Sequence, residues 1–209
     1  NTGYLLLSEV VTKVSGRPFG EWMKANVFEP LGMTSTQVYD DHERLVPGRA
    51  YSYQHSKGGL SKSVLSYANS GATSLFTTAE DLARWLRNFR TGQVGGKRAI
   101  DLLQVQGVLT SGRTIDYALG VSIEERNGLR RILHGGGDAG FRTWLEYYPE
   151  IDAGVVVLGN LASFDAGGIG TRVAEAFFPG DMRAKERARA SDPEAGKGAA
   201  EPVPADLGK

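Results

Sequence analysis

Apolar positions recur at helical spacing from the first residues of the chain. Leu5, Leu6, Val10, Val11 and Val14 mark one helix, and Gly16 follows where it would stop. Pro18 suits the first turn of a second helix carrying Phe19, Trp22, Met23 and Phe28, closed by "EPLGM". From Thr34 to Asn69 the pattern is irregular and polar, which predicts long surface loops. "TTAEDLARWLRNFRTG" restores the helical period. Leu82, Trp85, Leu86 and Phe89 form its stripe, Thr77 and Glu80 have capping-box spacing, and Gly92 ends it.

After Tyr117 the period shortens. "YALGVSIEE" and "LRRIL" flank Asn127-Gly128, a strong two-residue hairpin signal. "FRTWLEYYP" alternates, with Phe141, Thr143, Leu145 and Tyr147 on one face and Trp144 and Tyr148 on the other. "AGVVVLGN" is a continuous apolar run, as expected of a strand covered on both faces. Residues from about 169 to 178 can form a helix packing back on that sheet. Helices and loops first, then antiparallel strands, then a helix: the fold class is α+β. Residues 1–180 hold the domain; 181–209, rich in Arg, Lys, Glu, Ala and Pro, carry too little apolar surface to offset ordering and are expected to form a linker or tail.

Composition narrows the function classes. Lys plus Arg and Asp plus Glu number 24 each, so a nucleic-acid footprint or a polybasic membrane patch is not expected. No apolar run approaches the roughly 18 residues of a membrane span. Cysteine is absent, which removes disulfide and thiolate chemistry. The chain opens without methionine, already inside an apolar periodic segment, and is expected to be the later part of a longer protein.

The chemistry concentrates in "LHGGGDAGF". Only three histidines occur, and His134 stands directly before three glycines. His42, His55 and His134 lack metal-ligand spacing, so no metal site is expected. The run lacks the Lys-Ser/Thr of a phosphate loop. It also lacks the Gly-x-Ser-x-Gly elbow that accompanies a lipase-type His-Gly-Gly-Gly loop; Gly120-Val121-Ser122-Ile123-Glu124 is the nearest miss.

Four segments resemble, in order, those of the serine β-lactamase and penicillin-binding-protein-like superfamily, in its β-lactamase-related branch of esterases, D-aminopeptidases and class C-like enzymes. "NTGYLLLSEVVTKVSGRPFGEWMKANVFEPLGMTST" looks like the stretch after the family's Tyr-x-Asn. "SLFTTAEDLARWL" is similar to its "GGL-x-ST-x-x-DL" helix start, with Thr73-Ser74-Leu75 standing where Gly-Gly-Leu is expected. "HGGGDAGFRTWLEYYP" resembles the strand bearing the third motif, Lys-Thr-Gly or, in this branch, His-x-Gly. "GVVVLGN" is like the strand that follows.

The resemblance implies acyl transfer by the serine of a Ser-x-x-Lys motif, on esters, amides or D-amino-acid peptides, with no cofactor. It implies that Asn1 is the asparagine of Tyr-x-Asn, that His134 and Gly136 are the ends of His-x-Gly, and that the Gly137 N–H is one oxyanion donor on an edge strand. No serine here has a lysine three residues on, so the nucleophile is expected upstream of Asn1, and this chain alone is expected to be inactive. Tyr67-Ala68-Asn69 matches Tyr-x-Asn without its following context. Tyr39, Tyr51 and Tyr53, on the long loops, are candidates for contacts with a small-molecule or peptide substrate. A non-catalytic peptidoglycan- or ligand-binding relative is the alternative. The family resemblance implies the periplasm or the outside of a bacterial cell; oligomeric state is not legible.

Overall fold

A computed structural model describes residues 1–64 and 69–180. Tyr67 and Ala68, and the tail expected over 181–209, lie outside the described residues.

The first helix, α1 (Thr2–Ser15), ends as expected at Gly16, whose φ of 68° and N–H bond to the Thr12 carbonyl close the last turn. A short second helix, α2 (Phe19–Met23), runs into a π-helical turn, Lys24–Phe28. The loop expected from Thr34 to Asn69 is less irregular than its sequence. It holds a short strand β1 (Gln37–Val38) and a hairpin, β2 (Ser52–Ser56) and β3 (Gly59–Ser63). The hairpin's mostly polar residues carry no apolar alternation, so period alone misses it.

A two-residue strand β4 (Leu75–Phe76) pairs with β1 and leads into α3 (Ala79–Thr91). The cap of α3 is one residue later than its spacing suggests. Thr78 Oγ1 accepts from the Asp81 N–H at 3.3 Å, while the Thr77 hydroxyl is bonded to Thr36 Oγ1 at 2.8 Å. The buried Asp81 carboxylate accepts from the Ser35 N–H at 2.8 Å, from Thr36 Oγ1 at 2.7 Å and from Arg84 at 2.8 Å, fastening the preceding loop to α3. Helix α4 (Gly96–Leu103) has no counterpart in the sequence reading, because it spans two turns and opens on glycine.

The second half is a four-stranded antiparallel sheet in chain order, β5 (Ser122–Arg126), β6 (Leu129–Asp138), β7 (Phe141–Tyr148) and β8 (Ala153–Gly159). Asn127 at φ 50° and Gly128 at φ 78° make the β5–β6 turn as expected. The last helix, α5 (Ala166–Phe177), starts earlier than expected, capped by Asp165 Oδ1 on the Gly168 N–H at 2.9 Å.

The sheet lies between two helical layers. On one face Leu86 and Phe89 of α3 and Ile100 of α4 pack on Ile123, Ile132 and Tyr147. On the other, Ala174 of α5 packs on Leu129, Tyr148 and Val155. The alternation expected for β7 and the two-sided cover expected for β8 are both present, with Val156 facing the first layer and Val155 and Val157 the second. A third cluster, Phe28, Leu31, Met33 and Val38, joins the α2 region to α3 through Trp85.

One charged group is fully buried in the α5 layer. The Glu146 carboxylate accepts from Arg131 Nη1 at 3.1 Å and from Trp144 Nε1 at 2.8 Å, and Arg131 also pairs with Glu124. Burial and the Glu146 charge push the Tyr148 phenol up to about 12. In contrast, α1 leaves Leu6, Leu7, Val10 and Val14 exposed, Val14 at 84%.

Candidate active site

The glycine run sits where β6 changes from an inner to an outer strand. Strand β5 pairs with β6 only from Arg126↔Leu129 to Ser122↔Leu133, whereas β7 follows it to Asp138↔Phe141. The expected edge strand is therefore real for residues 134–138, and residues 129–133 run inside the sheet.

Backbone direction follows from the turn. Arg126 and Leu129 close a two-residue hairpin and exchange hydrogen bonds, so alternate residues Leu133, Gly135 and Gly137 direct N–H and C=O toward the β5 side. His134 and Gly136 direct theirs toward β7. The Gly137 N–H thus leaves the sheet at its open edge, where residues 134–137 are all exposed.

Gly136 and Gly137 are small for different reasons. A Cβ on Gly136 would run into Thr143 Oγ1 on β7, so glycine there permits the strands to pair. A Cβ on Gly137 would come no closer than 3.7 Å to the Arg142 side chain, so the protein itself does not demand glycine at that position.

His134 is held from the side. Its Nε2 lies 3.3 Å from the Tyr117 hydroxyl, and the two rings meet edge-on at 6.0 Å. Tyr117 is anchored by its carbonyl, which accepts from the Gly107 N–H at 2.9 Å. Tyr4 of α1 stands near that hydroxyl, and its phenol is raised first by burial and then by Tyr117. Three polar-tipped rings therefore lead from α1 to β6.

Asn1 stands at the N-cap position of α1, yet its side chain makes no capping hydrogen bond. Its carbonyl accepts from the Leu5 N–H at 3.1 Å, leaving the exposed amide outside the helix's own bonding. Asn1 and Tyr4 are three residues apart, which puts them on one helix face.

Tyr4 and Tyr117 were not among the sequence candidates. The available signals were weak: Tyr4 is a polar-tipped ring within an apolar stripe, and Tyr117 is the residue at which the period changes.

The loop tyrosines separate. Tyr39 is 3% exposed, stacked on Phe76 at 4.5 Å, with its hydroxyl donated to the His42 carbonyl at 3.0 Å. It is a packing residue and has no face to offer a substrate. Tyr51 is half exposed and lines a cavity with Phe141. Tyr53 is partly buried, its backbone bridging Asn160 and Ala162 beyond the end of β8.

Before α3, Ser74 adopts φ 66°, a left-handed conformation that glycine accepts without strain. Its carbonyl accepts from the Tyr39 N–H at 2.8 Å, so the serine keeps a glycine-type bend where Gly-Gly-Leu was expected.

The family model for β-lactamase matches residues 1–177. The chain belongs to the β-lactamase family. Among its relatives, penicillin-binding protein 4* of Bacillus subtilis (strain 168) is 28% identical over 176 residues, covering 77% of this chain and 39% of that protein. The D-aminopeptidase of Gluconobacter oxydans (strain 621H) is 22% identical over 161 residues, covering 77% of this chain and 30% of its own length. Among solved structures, the octameric penicillin-binding protein homologue from Pyrococcus abyssi superposes with a TM-score of 0.74 at 26% identity, over 85% of this chain and 42% of that one. This β-lactamase-family chain therefore spans less than half the length of each of these relatives. Among its described residues no helix is long and apolar enough to cross a membrane.

Proposed function

We propose that this chain supplies two walls of the active site of a serine hydrolase that forms an acyl-enzyme. Its substrates are esters, amides or D-amino-acid peptides, and the nucleophilic serine and its lysine lie upstream of Asn1. The observation that carries this reading is the outward Gly137 N–H on the open half of β6, one register step past His134-Gly135-Gly136. An N–H free of strand pairing, in a position no side chain obstructs, is what a developing oxyanion requires. His134 beside it can pass a proton to or from the reacting group. Asn1, which the resemblance assigns to the same site, keeps an amide uncommitted to the α1 cap. The family match and the D-aminopeptidase relative support the reaction class. The family also favours a periplasmic or extracellular site of action.

Covalent labelling tests the reading. The full-length protein is expected to react with a fluorophosphonate probe at one serine upstream of Asn1, and residues 1–209 alone are not. A full-length protein that lacks Ser-x-x-Lys and resists the probe is instead a ligand-binding relative of the fold, and the hydrolase reading fails.

A further inference from the structure

Two cations converge on one ring beside the third motif. The Arg49 guanidinium carbon lies 5.2 Å from the Tyr51 ring centroid, and the Lys62 Nζ 3.8 Å from it. Arg49 is fixed in place: it also lies 4.9 Å from the Tyr39 and Phe76 rings and donates Nη1 to the Tyr39 hydroxyl at 3.1 Å. Lys62, on the outer strand of the β2–β3 hairpin, is exposed. With Tyr51, Ser52, Ser63 and Phe141 the two cations line a cavity of about 250 Å³.

The cavity has an unbalanced charge. Among the described residues no Asp or Glu lines it. Among the described residues, every ion pair is made by groups other than Arg49 and Lys62. Ring quadrupoles offset a cation by only about 0.5–1 kcal/mol at exposed sites, so two like charges around one ring favour an arriving anion. The Ser63 hydroxyl at the wall can donate to it, and the guanidinium offers a fork suited to a carboxylate.

Its position ties it to the cleft. Ser52 Oγ accepts from the Gly140 N–H at 2.9 Å, and a Cβ on Gly140 would approach the Tyr53 carbonyl to 2.5 Å, so the β6–β7 turn is seated on β2. Phe141 lies opposite Asp138, the residue after Gly137. The cavity therefore opens at the turn end of the hairpin that carries His134 and Gly137.

We infer that this cavity is an anion subsite that holds a carboxylate carried by the substrate, with Arg49 as the fixed partner and Lys62 as the adjustable one. That a substrate carries the anion rests on the acyl-transfer reading; the anion binding does not.

The test is an amide NMR titration of the full-length protein with N-acetylglycine, and with neutral N-acetylglycinamide as the control. The carboxylate is expected to give saturable shifts at Tyr51, Ser63 and Phe141, and the amide none. Lys62 is the residue to change, since Arg49 is packed among three rings and its loss threatens the fold. Lys62→Gln is expected to weaken binding about tenfold and Lys62→Arg to retain it, as for loss of one charge-assisted contact. His134→Asn is expected to leave the titration unchanged. Equal shifts with the amide, unaltered binding by Lys62→Gln, or shifts that centre on His134 would each overturn the assignment. Saturable binding in a protein that resists the fluorophosphonate probe would retire the hydrolase reading and leave the anion site standing.

Discussion

The Tyr117 hydroxyl lies 3.3 Å from His134 Nε2, so the imidazole is held by a tyrosine of the segment before β5 and not by its own strand. Gly135 and Gly136, which follow it along β6, cannot buttress an imidazole, and the strand beside it ends at Ser122. The orientation of His134 therefore comes from a residue 17 positions earlier in the chain.

Tyr117→Phe tests that role in the full-length protein. It keeps the ring contact and removes only the hydroxyl, so the protein is expected to melt as before. If His134 acts on the reacting group, kcat should fall roughly tenfold with KM little changed, the signature of a misplaced catalytic side chain. A loss confined to KM would place His134 in binding alone, and an unchanged kcat and KM would dismiss the tyrosine.

Ser74→Gly is expected to stabilise the protein. The left-handed conformation at φ 66° costs a non-glycine residue roughly 1–2 kcal/mol. Glycine's freer unfolded chain returns about 0.5–1 kcal/mol of that. A net gain of about 0.5–1 kcal/mol in chemical denaturation is expected. Ser74→Val, β-branched, should move stability the other way.

The Arg131–Glu146 pair is a structural liability if halved. Removing the cation by Arg131→Met strands a fully buried carboxylate and should cost about 3–5 kcal/mol. Replacing both partners with apolar residues should recover much of that loss, because no charge is then left unpaired. A double-mutant cycle by urea denaturation reads both outcomes.

Alkaline unfolding should follow the two tyrosines at the end of β7. Burial, reinforced by the hydrogen bond from the Tyr147 hydroxyl to Asp152 and by the charge of Glu146 near Tyr148, raises both phenols to about 12 from 10.0. A folded-state value above the unfolded one stabilises the fold below pH 10.0, and that contribution is lost as pH rises toward about 12. Tyrosinate absorbance should show late-ionising phenols, Tyr147 and Tyr148 among them, that titrate normally once the chain is unfolded.

The exposed face of α1 should drive association of residues 1–209 produced alone. Leu6, Leu7, Val10 and Val14 stand open on one helix, and among the described residues β8 pairs with no strand but β7. Val14→Lys is expected to reduce self-association in sedimentation without lowering the melting temperature, since the side chain buries almost nothing.

Local pattern predicted the elements well where burial follows a period. The stripe on α3, the Asn127-Gly128 turn and the apolar run of β8 are each dictated by neighbours within a few residues, so they are legible in order along the chain. The polar hairpin β2–β3 and the short α4 were not, because neither shows a periodic apolar face. The cap of α3 moved from Thr77 to Thr78 because Thr36, some forty positions away in the chain, claims the other hydroxyl.

By itself the sequence determined the α+β order, the strand that carries His134, Gly136 and Gly137, and the family to which the chain belongs. Tertiary structure alone decided that β6 becomes an edge at His134, that Tyr117 holds that histidine, that Tyr39 is buried, and that Arg49 and Lys62 meet at Tyr51. The physical reason is range. Helix and strand periods are set by dihedral preference and burial within a few residues, whereas a site is assembled from side chains whose only relation is the packing that brings distant segments together.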